Sequence, residues 1–593
     1  MKKKLLIIIP SLCMTFLASC NKEQTYPVAD MVVFGDQIYT ANSNEEFVEA
    51  FAVKEGKYIY VGDANTANKY IGKNTSVYNY AFVMPSAIET HAHFLLENSF
   101  FQTCYLNSKN EKGELVNKET LLNCIEKYAT DNEILDSENP HLFGYGYDQL
   151  SIPTNLELLY REDLDGLCNG KVADVPVYIA ETSLHQAWVN TLTLERAGIK
   201  ITLPKGESDP VSGILRDDDG VALGVLINEA ISYVLQKGFQ FPILDDDGYQ
   251  KAVKDTCYYL NKMGYTGHYD AWTNFDGSDR LYKALYDVDK NNELTCFFTT
   301  CYNITTYEYN SEKLDDILNK VDGYRNKYTN THTEPKFIKL FADGVLESGT
   351  GFLKEPYLFD DQYYGQQIWK QNEMDQIVLE SNKRDLLVHT HVLGDASCEE
   401  AVNAYVKSNV NLNKKTRNSL AHCVLVDEPE RQLIKSEEIG VAVNAGWLTD
   451  TSDTFCDPLV GKERQEQFYP YDGLTKLGVK TSVCTDRPCS DGPIDVFDYM
   501  GCMLLGYNNE NGNHVARRKI DLSVKDAINM MTINGAWTAN YEEERGSIEV
   551  GKFADFIVSD FSPFNCAFNI IKDIEVKATV FEGKFVYLKN DWN

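Results

Sequence analysis

Between residues 84 and 540 the chain repeats one pattern: a short, nearly continuous apolar run rich in β-branched residues, then a stretch with helical spacing. Eight such runs recur, VMPSAIETHAHF, GYTGHYDAW, LTCFFTTCYN, KFIKLFADG, DLLVHTHVLGD, NSLAHCVLV, GVAVNAGWL and VKTSVCTDRP. A run that is apolar on both faces marks a parallel strand covered on each side, and eight of them alternating with helices predict a closed TIM-like (β/α)8 barrel. After the eighth run, SVKDAINMMTINGAWTAN reads as a sealing helix with Ser523 as N-cap and Asp526 at the capping-box position.

The pattern changes at both ends. ADMVVFGDQIYT, EAFAVKEGKYIYVGD, GSIEVGKFADFIVSDF and VKATVFEGKFVYL alternate short β-rich runs with Gly and Asp turns, which predicts small antiparallel strands. Residues 30–83 and 541–593 are therefore expected to meet in one small β-sandwich around the barrel of 84–540. The first and second barrel runs lie too far apart for a loop. The segment of about 100–255, with FGYGYDQL, PVYIAETSLHQAWVN and DPVSGILRDDDGVALGVLINEA, reads as a subdomain inserted over the barrel mouth.

Residues 1–19 carry a basic MKKK, an apolar LLIIIPSLCMTFLA and then LASC, the pattern of a lipoprotein signal peptide with Cys20 as the lipidated residue. Residues 20–29 would form a tether, placing the mature protein on a bacterial cell envelope, on the outer membrane of a Gram-negative cell, with membrane contact only through that lipid. No later segment is long and apolar enough to span a bilayer. The net charge of −32 argues against a nucleic-acid partner, whose phosphates would be repelled. Removing Cys13 and lipidating Cys20 leaves an odd number of the 15 cysteines, so buried thiols are expected, with Cys104 to Cys124 as a single candidate disulfide.

In a barrel of this type the site lies at the C-terminal ends of the strands, so the polar residues that end the apolar runs are the candidates. They are His91 and His93 on run one, Lys339 on run four, His391 on run five, His422 on run six and Asp486 on run eight. His91 and His93 are two residues apart on an extended strand, so both imidazoles face the same way. Imidazole and carboxylate are ligands for zinc and similar divalent ions. Singly, each histidine is as well read as a packed core residue; it is their shared strand end that points to metal. Lys339 either points outward, titrates down on burial, pairs with Asp343, or adds carbon dioxide to become a carbamate ligand. Asp486 is placed to take a proton from a metal-activated water, its alternative being a turn residue before Pro488.

SAIETHAHF, IKLFADG, VHTHVLGD, NSLAHCVLV, SVCTDRP and GKFADFIVSD together resemble the amidohydrolase superfamily. The insert motifs GYGYDQ, HQAWVN and DDDGVALGVLINEA resemble its YtcJ-like, amidohydrolase family 3 branch, over about residues 30–587. That resemblance implies hydrolysis of a non-peptide carbon–nitrogen bond in a small amide or cyclic amide by a metal-activated hydroxide. It implies one or two divalent ions, zinc first, with manganese, iron or nickel also compatible. His91, His93 and Asp486 would hold one ion and His391 and His422 the second, with a carbamylated Lys339 between them. Tyr147, Asp148 and His185 match insert positions that face substrate, with a packing role equally open for Tyr147. The chain departs from the usual pattern at Ser86, Glu89 and Arg487, the last either reading an anionic substrate or turned to solvent. Two other classes are compatible with the residues: a single-metal deaminase of a ring amine, and a catalytically inactive surface-binding protein on the same scaffold.

Overall fold

The structure is a computed structural model that describes residues 26–108, 116–148, 159–449, 456–490, 494–505 and 519–590. The signal segment and Cys20 lie outside the described residues. The chain begins with β1 (Met31–Tyr39), β2 (Phe47–Lys54), β3 (Lys57–Gly62) and β4 (Ser76–Pro85), and β4 runs almost directly into β5 (Ala87–Ala92), the first barrel strand. The insert contributes β6 (Cys104–Tyr105), β7 (Leu142–Tyr147), β8 (Val177–Glu181), β9 (Gln186–Val189), β10 (Ile214–Arg216) and β11 (Ala222–Ile227). Then come β12 (Tyr265–Asp270), β13 (Phe297–Asn303), β14 (Thr333–Phe341), β15 (Leu387–Val392), β16 (Ser419–His422), β17 (Gly440–Val443) and β18 (Thr481–Val483). The chain closes with β19 (Phe556–Ser559), β20 (Ala578–Phe581) and β21 (Lys584–Leu588).

The eight apolar runs are the eight barrel strands, β5 and β12 to β18, hydrogen-bonded in the order β18-β17-β16-β15-β14-β13-β12-β5 with every pair parallel. Every residue of β5, β12, β13, β16, β17 and β18 is buried, which is why these segments read as unbroken apolar runs rather than alternating ones. The seam between β18 and β5 is tied by Thr90 Oγ1 donating to the Val483 carbonyl at 2.7 Å and by the Asp486 N–H donating to the His91 carbonyl at 3.0 Å. The seam therefore fixes two of the candidate residues against each other.

The sealing segment forms with the expected cap: Ser523 Oγ accepts from the Asp526 N–H at 3.1 Å while the Asp526 carboxylate accepts from the Ser523 N–H at 2.9 Å. It is two helices, Val524–Met531 and Ile533–Thr538, broken at Thr532. Strands from both chain ends share one seven-stranded sheet, β21-β20-β19-β4-β1-β2-β3. Its β1–β4 pair is parallel, where the sequence pattern predicted only antiparallel neighbours. The insert forms a separate six-stranded sheet, β10-β11-β9-β8-β7-β6. All thirteen described cysteines are free thiols, Cys104 and Cys124 included, so the candidate disulfide is not formed.

Candidate active site

His91 lies on β5, and His93 follows it as the residue that begins the helix Phe94–Phe100. The buried carboxylate of Glu89 accepts from the His91 N–H at 3.0 Å and from the Thr485 N–H at 3.1 Å, pinning strand one to the segment after strand eight. Burial pushes the Glu89 carboxyl up to about 8, although these N–H groups pull the other way. Across the seam Asp486 Oδ1 lies 3.4 Å from His91 Nε2 and 3.5 Å from His93 Nε2. Two site residues hold backbone in the left-handed region, His422 at φ 70° and Asp486 at φ 58°. Such backbone is costly for a residue with a side chain, and it is concentrated where function needs a side chain aimed in one direction.

The other strand ends complete a ring. Lys339, on β14, is fully buried with Nζ 3.2 Å from His91 Nε2. The ring of His422 lies 4.8 Å from that of His91 and 4.6 Å from that of His391. His185, from the insert, reaches in from above with its ring 5.7 Å from His391. All six sequence-predicted ligand candidates thus share the C-terminal rim of the barrel.

The hydrogen bonds leave the right atoms available. His422 Nδ1 donates to Asn444 Oδ1 at 2.7 Å, and its buried Nε2 has no partner. His391 Nε2 donates to the Gly344 carbonyl at 3.1 Å, which leaves Nδ1 as its lone-pair nitrogen. An orphaned buried imidazole nitrogen costs free energy unless something fills the gap. His91, His422 and Asp486 offer ligand atoms within 4.8 Å of one another, as do His93, Asp486 and Cys489. The donor set of imidazole and carboxylate fits a divalent ion, with the inward nitrogens of His422 and His391 oriented by their outer hydrogen bonds.

Electrostatics favours the same occupant. Burial, with help from the neighbouring Lys339 charge, holds His91 well below the usual imidazole range, and burial lowers His391 likewise and His422 to about 4. The imidazoles are therefore neutral at pH 7, as metal ligands must be. Burial alone would raise the Asp486 carboxyl, but the adjacent His91 and His93 imidazoles hold it well below the usual carboxylate range. Burial brings Lys339 down to about 8. Asp343 is not its partner: that carboxylate accepts from the backbone N–H groups of Phe352 and Gly394 at 2.9 and 2.8 Å and from Ser397 Oγ at 2.8 Å.

Above the ring lies a cavity of about 700 Å³, walled by barrel ends and by the insert. Asp148 and His185 line it, and His185 Nδ1 bonds Asn228 Oδ1 at 2.9 Å. Trp272, Trp369, Trp447 and Phe341 supply aromatic wall, with Trp447 stacked on His422 at 5.0 Å and 6°. Two candidate substrate contacts are placed elsewhere, Tyr147 in the packing role that the sequence also left open. Tyr147 is fully buried behind the wall, its hydroxyl donating to Gln186 Oε1 at 3.1 Å against Trp188. Arg487 turns neither to the cavity nor to open water: its Nε donates to the buried Glu97 at 3.1 Å and its Nη1 to the Ser490 carbonyl at 3.0 Å. A cation beside a buried carboxylate is held there, because separating them would leave Glu97 uncompensated.

Comparison with known proteins agrees with the geometry. A sequence model described as the amidohydrolase family matches residues 81–587. The chain belongs to the amidohydrolase family. It is 24% identical over 566 residues to YtcJ of Bacillus subtilis (strain 168), which carries the name of an amidohydrolase; the match covers 94% of this chain and 99% of that relative. It is 22% identical over 430 residues to the N-substituted formamide deformylase of Arthrobacter pascens, covering 70% of this chain and 73% of that one. An uncharacterized metal-dependent hydrolase from Pyrococcus horikoshii OT3 has the same fold, with a TM-score of 0.67 at 20% identity over 91% of this chain and 99% of that one. As a member of this family the protein is a hydrolase of non-peptide carbon–nitrogen bonds.

Sequence reasoning overlooked Asn444, the Gly344 carbonyl, Trp447 and His389. Only His389 left a usable signal: it lies two residues before His391 on β15, the same spacing that singled out His91 and His93.

Proposed function

We propose that this amidohydrolase-family enzyme opens a small amide or cyclic amide at a centre of two divalent ions, zinc first. His91, His93 and Asp486 would hold one ion and His391 and His422 the other, with Lys339 between them as a carbamate. The observation that carries the reading is the unpartnered, fully buried His422 Nε2, in a ring whose other inward atoms belong to His91, Asp486 and Lys339. Bound ions supply an acidified water and polarise the scissile carbonyl.

The chain's own groups do the rest. Asp486 is ionised and lies 3.4 and 3.5 Å from the Nε2 atoms of His91 and His93, so it is placed to accept a proton and return it to the leaving nitrogen. Lys339, brought down to about 8, has a neutral fraction at ordinary pH from which the amine lone pair adds to carbon dioxide with loss of one proton. His185 and Asp148 face the substrate from the insert, while Trp272, Trp369 and Phe341 exclude water around it. We also propose export and lipid anchoring at Cys20, which rests on the N-terminal sequence pattern alone.

A single-ion deamination is the second reading, favoured by His91, His422 and Asp486 forming a three-ligand set without Lys339. A screen of N-substituted formamides, N-acyl amines, cyclic imides and ring amines, run with Lys339→Ala beside the natural protein, separates the two. Amide opening that Lys339→Ala abolishes together with the second metal equivalent is the expected result. Deamination of ring amines that survives Lys339→Ala would overturn the first reading.

A further inference from the structure

His389 does not line the cavity above the ring, yet both of its ring nitrogens are held by neighbouring side chains. It is fully buried on β15. Its Nε2 lies 2.6 Å from His91 Nδ1, and its Nδ1 lies 2.6 Å from Ser419 Oγ on β16. Tyr269 closes the side of the imidazole, with ring centroids 4.8 Å apart at 70°. Three side chains from three strands, His91, His389 and Ser419, thus form one short line leading away from the ring of strand-end ligand candidates.

Two imidazoles joined nitrogen to nitrogen share a single proton, so the direction of each bond fixes the next. For His91 Nε2 to hold a metal it must present a lone pair, so the His91 proton sits on Nδ1. His91 Nδ1 then donates to His389 Nε2, which makes His389 an acceptor there and puts its own proton on Nδ1. That proton is donated to Ser419 Oγ. The opposite direction places a hydrogen on His91 Nε2, pointing at Lys339 Nζ and Asp486, where no cation could be accepted. We propose that His389, oriented by Ser419, is a positioning residue that sets the tautomer and ring orientation of His91 and so completes its capacity to bind the ion. This rests on the metal reading of the ring given above, and it assigns a role to a histidine that does not itself reach the cavity.

An outer hydrogen-bond acceptor of this kind contributes about 10- to 100-fold to metal affinity. The test is zinc affinity of the metal-stripped full chain, read by competition with a chromophoric chelator, for the natural protein, His389→Phe and His389→Gln. Phe keeps a planar ring without the acceptor, whereas Gln places an amide oxygen near the position of Nε2. Expected is a loss of about 10- to 100-fold in His389→Phe and a loss under about threefold in His389→Gln. Should His389→Phe not fold, His389→Met, which removes the acceptor on a flexible chain, carries the same arm. Equal affinity in the acceptor-free variant and the natural protein, or equal losses in that variant and Gln, overturns the positioning role while leaving the metal reading intact. A natural protein that binds no zinc at all would instead remove the metal reading, and this role with it.

Discussion

Two buried clusters of charged and titratable side chains sit at opposite ends of the barrel, and they differ in what they leave unfinished. At the C-terminal rim, His91, His93, His391, His422, Lys339 and Asp486 converge with His422 Nε2 and His93 Nδ1 lacking any partner. Where the barrel meets the end sheet, Arg545 is 2% exposed and both of its terminal nitrogens are taken, by Asp555 and Glu582 at 2.5 Å each. The rings of Phe297, Phe553 and Phe581 lie 4.2 to 5.0 Å from its guanidinium carbon. His332 extends this clasp, with Nδ1 2.6 Å from Asp289 and Nε2 3.2 Å from Glu582. The clasp meets each cation with carboxylates, Arg545 with Asp555 and Glu582 and His332 with Asp289 and Glu582, and leaves only Arg545 Nε without a partner. The rim brings imidazole nitrogens and the Asp486 carboxylate together, a donor set that a divalent cation would complete.

That contrast is broken if a change at one cluster behaves like a change at the other. The largest effect is expected at the rim: Asp486→Asn should lower kcat by about 10²- to 10⁴-fold, as loss of a proton-transfer group does, while thermal unfolding moves little. Turnover assays paired with melting curves check both halves. Next comes the clasp, where Arg545→Met should cost about 3–5 kcal/mol of stability because it strands two carboxylates, with zinc content per folded chain unchanged. Denaturant unfolding and metal analysis read it; a loss of metal at preserved stability would mean that the clasp serves the site.

A smaller effect is expected from pH. Burial alone would lower His332, but Asp289 and Glu582 raise it from 6.5 to about 9. A raised folded-state value stabilises, so this contribution is fully present below 6.5 and fades as pH climbs through about 9. Melting temperature should fall over that window in the natural protein and fall less in His332→Asn. The smallest effect lies in the sealing helix, where Ser523→Ala removes the cap and should cost about 1 kcal/mol by denaturant unfolding, with no change in kcat.

The barrel was legible because its strands are buried on both faces, so each announces itself as an apolar run, and the polar residue ending a run is then conspicuous. The ring of His91, His93, Lys339, His391, His422 and Asp486 follows from that rule alone. What was not legible depends on contacts between residues far apart in sequence. Nothing local ties Asn444 to His422, or tells that Arg487 turns to Glu97, 390 positions away. Tyr147 lies on a strand of the insert in a motif that left substrate contact and packing equally open, and packing against Trp188 claims it. The parallel β1–β4 pair escaped for a related reason: strand runs show where strands are, while the partner of each is decided by how the two chain ends meet.

The most direct measurement is a crystal structure of zinc-supplied protein with anomalous scattering recorded at the zinc edge. Anomalous peaks bounded by His91, His93, His391, His422 and Asp486, with density extending beyond Lys339 Nζ between them, are predicted. An absence of peaks at the rim, or zinc bound elsewhere while His422 Nε2 stays without a partner, would contradict the central claim that these strand ends form a metal centre.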